Sequence, residues 1–233
     1  MQHKIEHLDW HKVACQVNDN GYAVLKEVLN HEECDSLKLL YNNPAIYRKT
    51  ITMERYRFGL GEYKYFSYPL PGIIQQLRQD IYPKLAPIAN NWMKVLNIDT
   101  RFPETLKGLL EQCREHSQLR PTPLILKYGE GGYNTLHQDL YGEIFFPMQL
   151  VLFLNEPGKD YDGGEFVLIE QRPRAQSKAI VLKPGKGDIL LFTTNFRPVK
   201  GNKGYYRVNM KHGVSEVTHG QRYTLGIIFH DAA

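Results

Sequence analysis

Residues 208–230 read VNMKHGVSEVTHGQRYTLGIIFH, two short β runs (208–214 and 222–230) joined by turn residues. Side chains alternate across a strand, so every second residue of the later run shares a face. One face carries Arg222, Thr224, Gly226 and Ile228, and the other carries Tyr223, Leu225, Ile227 and Phe229. A hairpin between the runs would place His212 and Arg222 on neighbouring strands, roughly 5 Å apart.

Arg222 is the informative member of the first face, because a guanidinium that points inward needs an anion as its partner. A small dianion between His212 and Arg222 would satisfy this charge. The residues alone leave two alternatives open. Either the aromatic face points inward, or Arg222 pairs with a carboxylate of the protein itself.

Short β runs of the same kind extend back to residue 122. Turn residues separate them at 129–132, 157–164, 184–187 and 201–204. The runs are 124–128, 135–139, 148–155, 165–170, 179–182, 188–193, 208–214 and 222–230. About eight short strands in roughly 110 residues are typical of a sandwich or barrel, so we predict a jelly-roll-like β core.

The part before residue 122 shows mostly helical periodicity. Asn30 and Glu33 form a capping-box pattern, and an apolar stripe runs through 73–96, where Pro83 and Pro87 are expected to kink or split the helix. A further helix is predicted at 103–116, whereas 56–68 is extended or irregular. Because no linker divides the chain, we predict a single domain, 1–233, in which a mainly helical part (1–121) packs on the β core (122–233).

Composition excludes several classes of protein. With 42% hydrophobic and 23% charged residues among 233, the chain is expected to be globular, and it has neither an apolar run of membrane-spanning length nor a signal-peptide pattern. Cys15, Cys34 and Cys113 are odd in number and far apart, which favours reduced thiols and a cytoplasmic location. A net charge of only +4 makes nucleic acid an unlikely partner.

A metal site is predicted from His137-Gln138-Asp139, since i and i+2 side chains of a strand share a face and imidazole and carboxylate suit iron. Two similar patterns, His7-x-Asp9 and His31-x-Glu33, lie in helical segments and are interpreted as solvated helix surfaces. For the third ligand, His219 lies in a predicted turn and His230 is almost terminal. His212, in the run 208–214, is therefore the best candidate.

Together, His137-x-Asp139, His212 and Arg222-x-Thr224 resemble the 2-oxoglutarate and Fe(II)-dependent dioxygenases. Residues 152–155 and the sequence DGGEF at 162–166 look like their prolyl-hydroxylase-like branch, and 211–231 resembles a bacterial subfamily of it. The resemblance implies a double-stranded β-helix core (a jelly roll, cupin-like) buttressed by the helices. It also implies that His137, Asp139 and His212 hold iron, that Arg222 binds the distal carboxylate of 2-oxoglutarate, and that Thr224 and Tyr128 add hydroxyl partners.

The implied chemistry needs no side-chain nucleophile. Three protein ligands leave three positions on an octahedral iron, two for 2-oxoglutarate and one for O2. We therefore expect an oxidoreductase that hydroxylates a small-molecule, amino-acid or peptidyl substrate and releases succinate and CO2. Residues 56–68, the loop 139–143, Gln149 and the pair Arg172 and Arg174 are candidates for the substrate entrance.

Two alternatives remain. One is an AlkB-like oxidative demethylase of alkylated nucleobases, but that branch carries a second arginine six residues beyond the first, where this chain has Ile228. The other is a cupin-like protein that binds metal or a small acid without turnover. Such a protein would need neither the anion site at Arg222 nor a free position for O2.

Overall fold

The computed structural model describes residues 2–233, with the side chains of residues 4–233. The helices are α1 Gln2–Glu6, α2 Trp10–Asn20, α3 His31–Leu39, α4 Gly72–Val95 and α5 Leu106–Glu115, with short 3-10 turns at Leu40–Asn42, Pro44–Ile46 and Met53–Tyr56. The first strands are β1 Tyr22–Leu25, β2 Tyr47–Thr52, β3 Gly59–Leu60, β4 Glu62–Phe66, β5 Leu124–Tyr128, β6 Tyr133–His137 and β7 Met148–Phe153. The others are β8 Tyr161–Gly163, β9 Phe166–Gln171, β10 Lys178–Leu182, β11 Ile189–Thr193, β12 Phe196–Gly201, β13 Gly204–Val214, β14 Val217–Gly220 and β15 Arg222–Ile228.

The strands form two large antiparallel sheets. The larger has the order β1-β11-β7-β15-β5-β4-β2, and the smaller has the order β10-β9-β13-β6-β3 with β12 also paired to β13. A small third sheet joins β14 to β8. This mainly β architecture with N-terminal helices confirms the predicted fold class.

The larger sheet is covered on both faces, which explains why every residue of β7 is buried. One face packs on α4, where Leu77 and Ile81 share a core with Leu150 and Ile227. On the opposite face, Val151 and other apolar residues meet those of the smaller sheet. The helices therefore buttress one sheet and leave the space between the two sheets for a site.

The alternation predicted for residues 222–229 is confirmed. Leu225, Ile227 and Phe229 belong to the core shared with the helices, whereas Arg222 and Ile228 line a cavity between the sheets. The predicted hairpin is wrong, because β13 and β15 belong to different sheets. The connection forms β14, which pairs with β8 and carries the chain from one sheet to the other. His212 and Arg222 therefore line the same cavity from the two different sheets.

The helices follow the sequence only in part. The Asn30 side chain accepts from the Glu33 amide while the Glu33 side chain accepts from the Asn30 amide, which confirms the capping box. Of the predicted kink or split at Pro83 and Pro87, the split is wrong, since α4 continues through both prolines. Its buried stripe against the large sheet offsets the two lost backbone hydrogen bonds.

The N-terminal part also differs from a purely helical layer. It contributes β1, β2 and β4 to the larger sheet and β3 to the smaller one. Residues 56–68, expected to be extended or irregular, contain β3 and β4. No helix within residues 2–233 is long and apolar enough to cross a membrane.

Candidate functional site

The structure brings together His137 of β6, His212 of the neighbouring strand β13, and Asp139 of the loop after β6. His212 lies directly opposite His137 in the strand register, and their ring centroids are 4.2 Å apart. His137 Nε2 is 3.7 Å from Asp139 Oδ1, and His212 Nε2 is 3.3 Å from Asp139 Oδ2. One potential ligand atom from each residue falls within 4.8 Å of the other two, so the three can converge on a single ion.

Asp139 reaches this position in a way that the strand argument did not foresee. Strand β6 ends at His137, so Asp139 lies in the following loop and not on the same strand face. Between them, the Gln138 amide donates to the Asn195 and Met210 carbonyls, which fixes the start of the loop to β13. The turn held by Gln138, rather than period-two alternation, places Asp139 next to His137.

Two side chains hold the Asp139 carboxylate. The Tyr141 hydroxyl donates to Oδ1 at 2.8 Å, and Gln149 Nε2 donates to Oδ2 at 2.8 Å. Burial alone raises the pKa of Asp139, but hydrogen bonding with His212, the nearby histidines and Gln149 together hold that pKa well below its usual value. The carboxylate is therefore ionised and fixed in orientation.

The two imidazoles are also prepared as ligands. His137 Nδ1 lies 2.7 Å from the Thr135 carbonyl, which can only accept, so Nδ1 carries the proton and Nε2 has its lone pair free. The His212 ring is stacked on Phe166 and meets Phe192 edge to face. Burial lowers the pKa of His212, and His137 lowers it further, which favours the neutral imidazole that binds metals.

Arg222 forms the second part of the site, on the larger sheet. Its side chain is 1% exposed, and its Nη1 donates to Thr224 Oγ1 at 3.4 Å, whereas Nε and Nη2 have no partner. Other buried arginines, such as Arg78 and Arg197, form ion pairs with acids, but none involves Arg222 within residues 4–233. The alternative in which a protein carboxylate neutralises Arg222 is therefore not supported.

Tyr128 lies directly opposite Arg222 on β5, and its ring is beneath the guanidinium at 5.5 Å. Its hydroxyl accepts from Asn134 Nδ2 at 3.3 Å. Burial raises the pKa of Tyr128 to about 12, so the hydroxyl stays protonated and can donate to an anion. Arg222, Thr224 and Tyr128 thus present three donors to one buried space.

A cavity of about 230 Å³ between the sheets connects these groups. Its wall includes both histidines, Asp139, Arg222, Thr224 and Tyr128. The other residues expected at an entrance divide into two groups. Phe58, Tyr63, Tyr65, Tyr141 and Gln149 line the cavity. Arg172 and Arg174 are not in its wall, and Arg172 instead pairs with Glu170.

Sequence reasoning missed the roles of Tyr141 and Gln149 beside Asp139. Tyr141 follows Asp139 by two residues, so its proximity was a signal that could have been read. Gln149 is ten residues away and on β7 of the other sheet, so its contact with Asp139 depends entirely on the tertiary fold.

Comparison with known proteins connects this geometry to a family. The model of the family Oxygenase-NA, described as "Oxygenase, catalysing oxidative methylation of damaged DNA", matches residues 61–232, which include every candidate residue from Tyr128 to Thr224. Two Mycobacterium tuberculosis proteins, from strains CDC 1551 / Oshkosh and ATCC 25618 / H37Rv, are each 47% identical over 168 residues. These residues are 72% of this chain and 72% of each relative, and both relatives are called uncharacterized.

Solved structures share the fold at low sequence identity. A Pseudomonas putida prolyl-4-hydroxylase is 14% identical with a TM-score of 0.56, covering 96% of this chain and 99% of its own. An oxidoreductase of the 2OG-Fe(II) oxygenase family from Burkholderia pseudomallei is 14% identical with a TM-score of 0.58, covering 97% of this chain and 94% of its own. A Trichoplax adhaerens prolyl hydroxylase, in complex with a hypoxia inducible factor peptide fragment, is 15% identical with a TM-score of 0.55. The match covers 99% of this chain and 91% of that protein.

The convergence of three donors predicts one divalent metal per chain. Anaerobic titration of the wild-type protein with Fe(II) or Mn(II) should saturate at one equivalent, and His137→Ala and His212→Ala should each weaken binding strongly, because each removes one donor. His219→Ala, at an exposed histidine of β14, is the matched control and should bind as the wild type does. Unchanged stoichiometry and affinity in both ligand variants would contradict the assignment.

The two donors to Asp139 predict a smaller effect on the same titration. Tyr141→Phe and Gln149→Leu should each weaken Mn(II) binding by about tenfold, because groups that orient a ligand carboxylate typically contribute 10–100-fold to metal affinity. Tyr65→Phe is the control, since the Tyr65 hydroxyl contacts Tyr141 and not Asp139. Wild-type affinity in both test variants would show that the carboxylate does not need these contacts.

Proposed function

Since the chain belongs to the Oxygenase-NA family, we propose that it is an Fe(II)- and 2-oxoglutarate-dependent oxygenase with its metal at His137, Asp139 and His212. The observation that carries the proposal is the unpaired, buried Arg222 guanidinium, which lines the same cavity as the three donors. A buried cation without a counter-ion is costly, so the fold has a place for an anion. The distal carboxylate of a 2-oxo acid supplies that anion.

The residues fit both groups. Two imidazole nitrogens and one carboxylate are the donor set of non-haem iron sites with open positions. Arg222 would pair with the distal carboxylate, while the hydroxyls of Thr224 and Tyr128 add hydrogen bonds to it. His137 and His212 lie on the smaller sheet and Arg222 on the larger one, so the proposed metal site and the proposed anion site can be changed separately.

When bound, the metal and 2-oxoglutarate supply the oxidising chemistry: CO2 leaves, one oxygen atom of O2 enters succinate, and the other enters a substrate C–H bond. The protein binds and orients the metal, the 2-oxoglutarate and the substrate. Tyr141 and Gln149 hold Asp139, and Thr135 sets the tautomer of His137. Apolar wall residues such as Val151 and Phe166 keep water from the reacting groups.

The sequence-based expectation for the substrate, a small molecule, an amino acid or a peptidyl group, has one structural support. Ile228 is 1% exposed and lines the cavity. At this position the nucleobase branch is expected to carry its second arginine, whereas this chain has an apolar side chain. Prolyl hydroxylases share the fold, and one of them was solved with a peptide. A hydroxylated peptidyl or small-molecule product is therefore the first candidate.

A damaged nucleobase is the second candidate, and the family's description supports it. The third possibility, a binding protein without turnover, has no support, because the family is one of oxygenases. The two remaining candidates share the same metal and cosubstrate chemistry. They differ in the class of substrate that must bind at the entrance of the cavity.

Loss of the Arg222 charge should weaken cosubstrate binding selectively. We expect Arg222→Ala to cost about 2–5 kcal/mol of 2-oxoglutarate binding, because it removes a buried charge-assisted pair. Anaerobic calorimetry on the Mn(II)-loaded protein measures this, and Mn(II) affinity should stay at the wild-type value. Arg197→Ala is a poor comparison, because Arg197 pairs with Glu170. Lys200→Ala, on β12, is the control without an expected effect, and wild-type 2-oxoglutarate affinity in Arg222→Ala would refute the role.

The reaction class is tested by its stoichiometry. The Fe(II)-loaded protein should convert 2-oxoglutarate to succinate and CO2 in equal amounts, only in the presence of O2, and His212→Ala should lose this activity. A substrate should accelerate succinate release, so separate additions of a peptide pool and a methylated oligonucleotide compare the two substrate classes. Succinate formation that persists without O2, or in His212→Ala, would exclude the proposed chemistry.

A further inference from the structure

An exposed strip, Arg55-Tyr56-Arg57-Phe58, lies next to the cavity, whose wall includes Phe58. Tyr56 is 51% exposed and Phe58 is 44% exposed, and their rings are stacked with centroids 5.5 Å apart and an angle of 18° between their planes. Arg55 and Arg57 are exposed between and beside them. We refer to these four residues as the rim strip.

The rim strip contributes little to stability. Neither Tyr56 nor Phe58 belongs to a hydrophobic cluster within residues 4–233. Arg57 has a φ of 59°, the left-handed conformation that is unfavourable for a residue with a side chain. Folding accounts for this conformation, because Arg57 ends the 3-10 turn Met53–Tyr56 and its amide donates to the Glu54 carbonyl. It does not account for two aromatic rings held in water on the same turn.

The rim strip is fixed relative to the metal ligands. The Phe58 carbonyl accepts from both the amide and the hydroxyl of Thr135, two residues before His137. The next residue, Gly59, pairs with Asn134, and a Cβ at Gly59 would lie 2.2 Å from the Tyr133 carbonyl oxygen, so only glycine allows this approach. Because Phe58 also lines the cavity, the rim strip continues the wall of the site outward.

The charges of the rim strip are available to a ligand. The side chains of Arg55 and Arg57 have no ion pair or hydrogen-bond partner within residues 4–233. Glu54, the adjacent acid, has its carboxylate turned toward the Gly61 amide at 3.5 Å. Two free guanidinium groups thus alternate with two exposed aromatic rings.

We propose that the rim strip binds an unpaired stretch of nucleic acid next to the base that enters the cavity. Aromatic faces that stack on bases and cations that track phosphates are the combination that binds single strands. An enzyme that acts on a base must take it out of the stack, so the neighbouring base loses a stacking partner that Tyr56 and Phe58 can replace. This inference rests on the proposed oxygenase function and selects its second substrate class.

The residues of the rim strip precede the first residue that the family model matches, 61, so the model itself does not assign them. A nucleic-acid site at the rim strip also agrees with the low net charge of +4, because two phosphate contacts need only a local pair of cations. For a single strand, each phosphate contact contributes about 0.7 to the slope of log K against log salt, so the salt dependence should be shallow.

The test measures binding of a short fluorescent oligothymidylate with one central N-methylated adenine to the Mn(II)- and 2-oxoglutarate-loaded protein without O2. Tyr56→Ala and Phe58→Ala should each weaken binding by about tenfold, the range that stacking on one base supplies. Tyr56→Phe, which keeps the ring, should restore wild-type affinity. Tyr205→Ala is the matched control, because Tyr205 is 48% exposed and lies on β13 beside the β12 turn.

Arg57→Asn should lower both the affinity and the salt slope, since asparagine tolerates the left-handed conformation but removes the charge. Arg174→Asn is its control, because Arg174 is also exposed and has a φ of 60°. A duplex of the same sequence should bind more weakly than the single strand. Equal losses in test and control variants, or no binding of the single strand, would overturn the proposal.

Two further outcomes separate this inference from the proposed function. In the first outcome, the metal and 2-oxoglutarate bind normally, but Tyr56 and Phe58 are needed for binding a peptide pool and not the oligonucleotide. The rim strip is then a peptide site, and the nucleic-acid proposal is wrong. In the second outcome, the single strand binds through Tyr56 and Phe58, but the protein does not bind 2-oxoglutarate. The nucleic-acid proposal is then supported, and the oxygenase proposal fails. Melting temperatures of all variants confirm that they are folded.

Discussion

The direct pairing of β13 with β6 is the constraint on which the site depends. It sets His212 opposite His137 in register, at a spacing that backbone hydrogen bonds determine and side chains alone could not. Because β13 also pairs with β9 along its other edge, its position is held from both sides. Asp139 can then lie in a loop and still meet both histidines, since Gln138 ties that loop to β13.

The second constraint is electrostatic. Arg222 is buried on the larger sheet over the rings of Tyr128 and Phe153, with two of its nitrogens unpartnered. Aromatic faces moderate the cost of a buried cation but do not replace a counter-ion. An anion in the cavity would neutralise this charge, and the opposing sheet carries His137 and His212 on the same cavity. In the proposed function, one sheet binds the metal and the other binds the organic acid.

What could be predicted from the sequence follows from how local each interaction is. The alternation of residues 222–229 and the capping box at Asn30 depend on a few neighbouring residues, and both are confirmed. The neighbouring-strand relation of His212 and Arg222 failed because β14 pairs with β8, a contact across more than 50 residues of chain. The helix is not split at Pro83 or Pro87, because packing of α4 on the large sheet outweighs local propensity. Gln149 was recognised as an entrance candidate, but its contact with Asp139 could not be foreseen without the topology.

The N-terminal part gains a functional meaning from the same topology. The segment 53–61 connects β2 to its partner β4 of the larger sheet, and within it β3 pairs with β6 of the smaller sheet. The loop therefore contacts both sheets beside the cavity, whose wall includes Phe58. A loop that only made this connection could do so with small polar residues, as most surface connections do. This chain instead has two stacked aromatic rings and two unpaired arginines on a strained turn. The loop is therefore better explained as part of the substrate-binding surface than as a simple connection between β2 and β4.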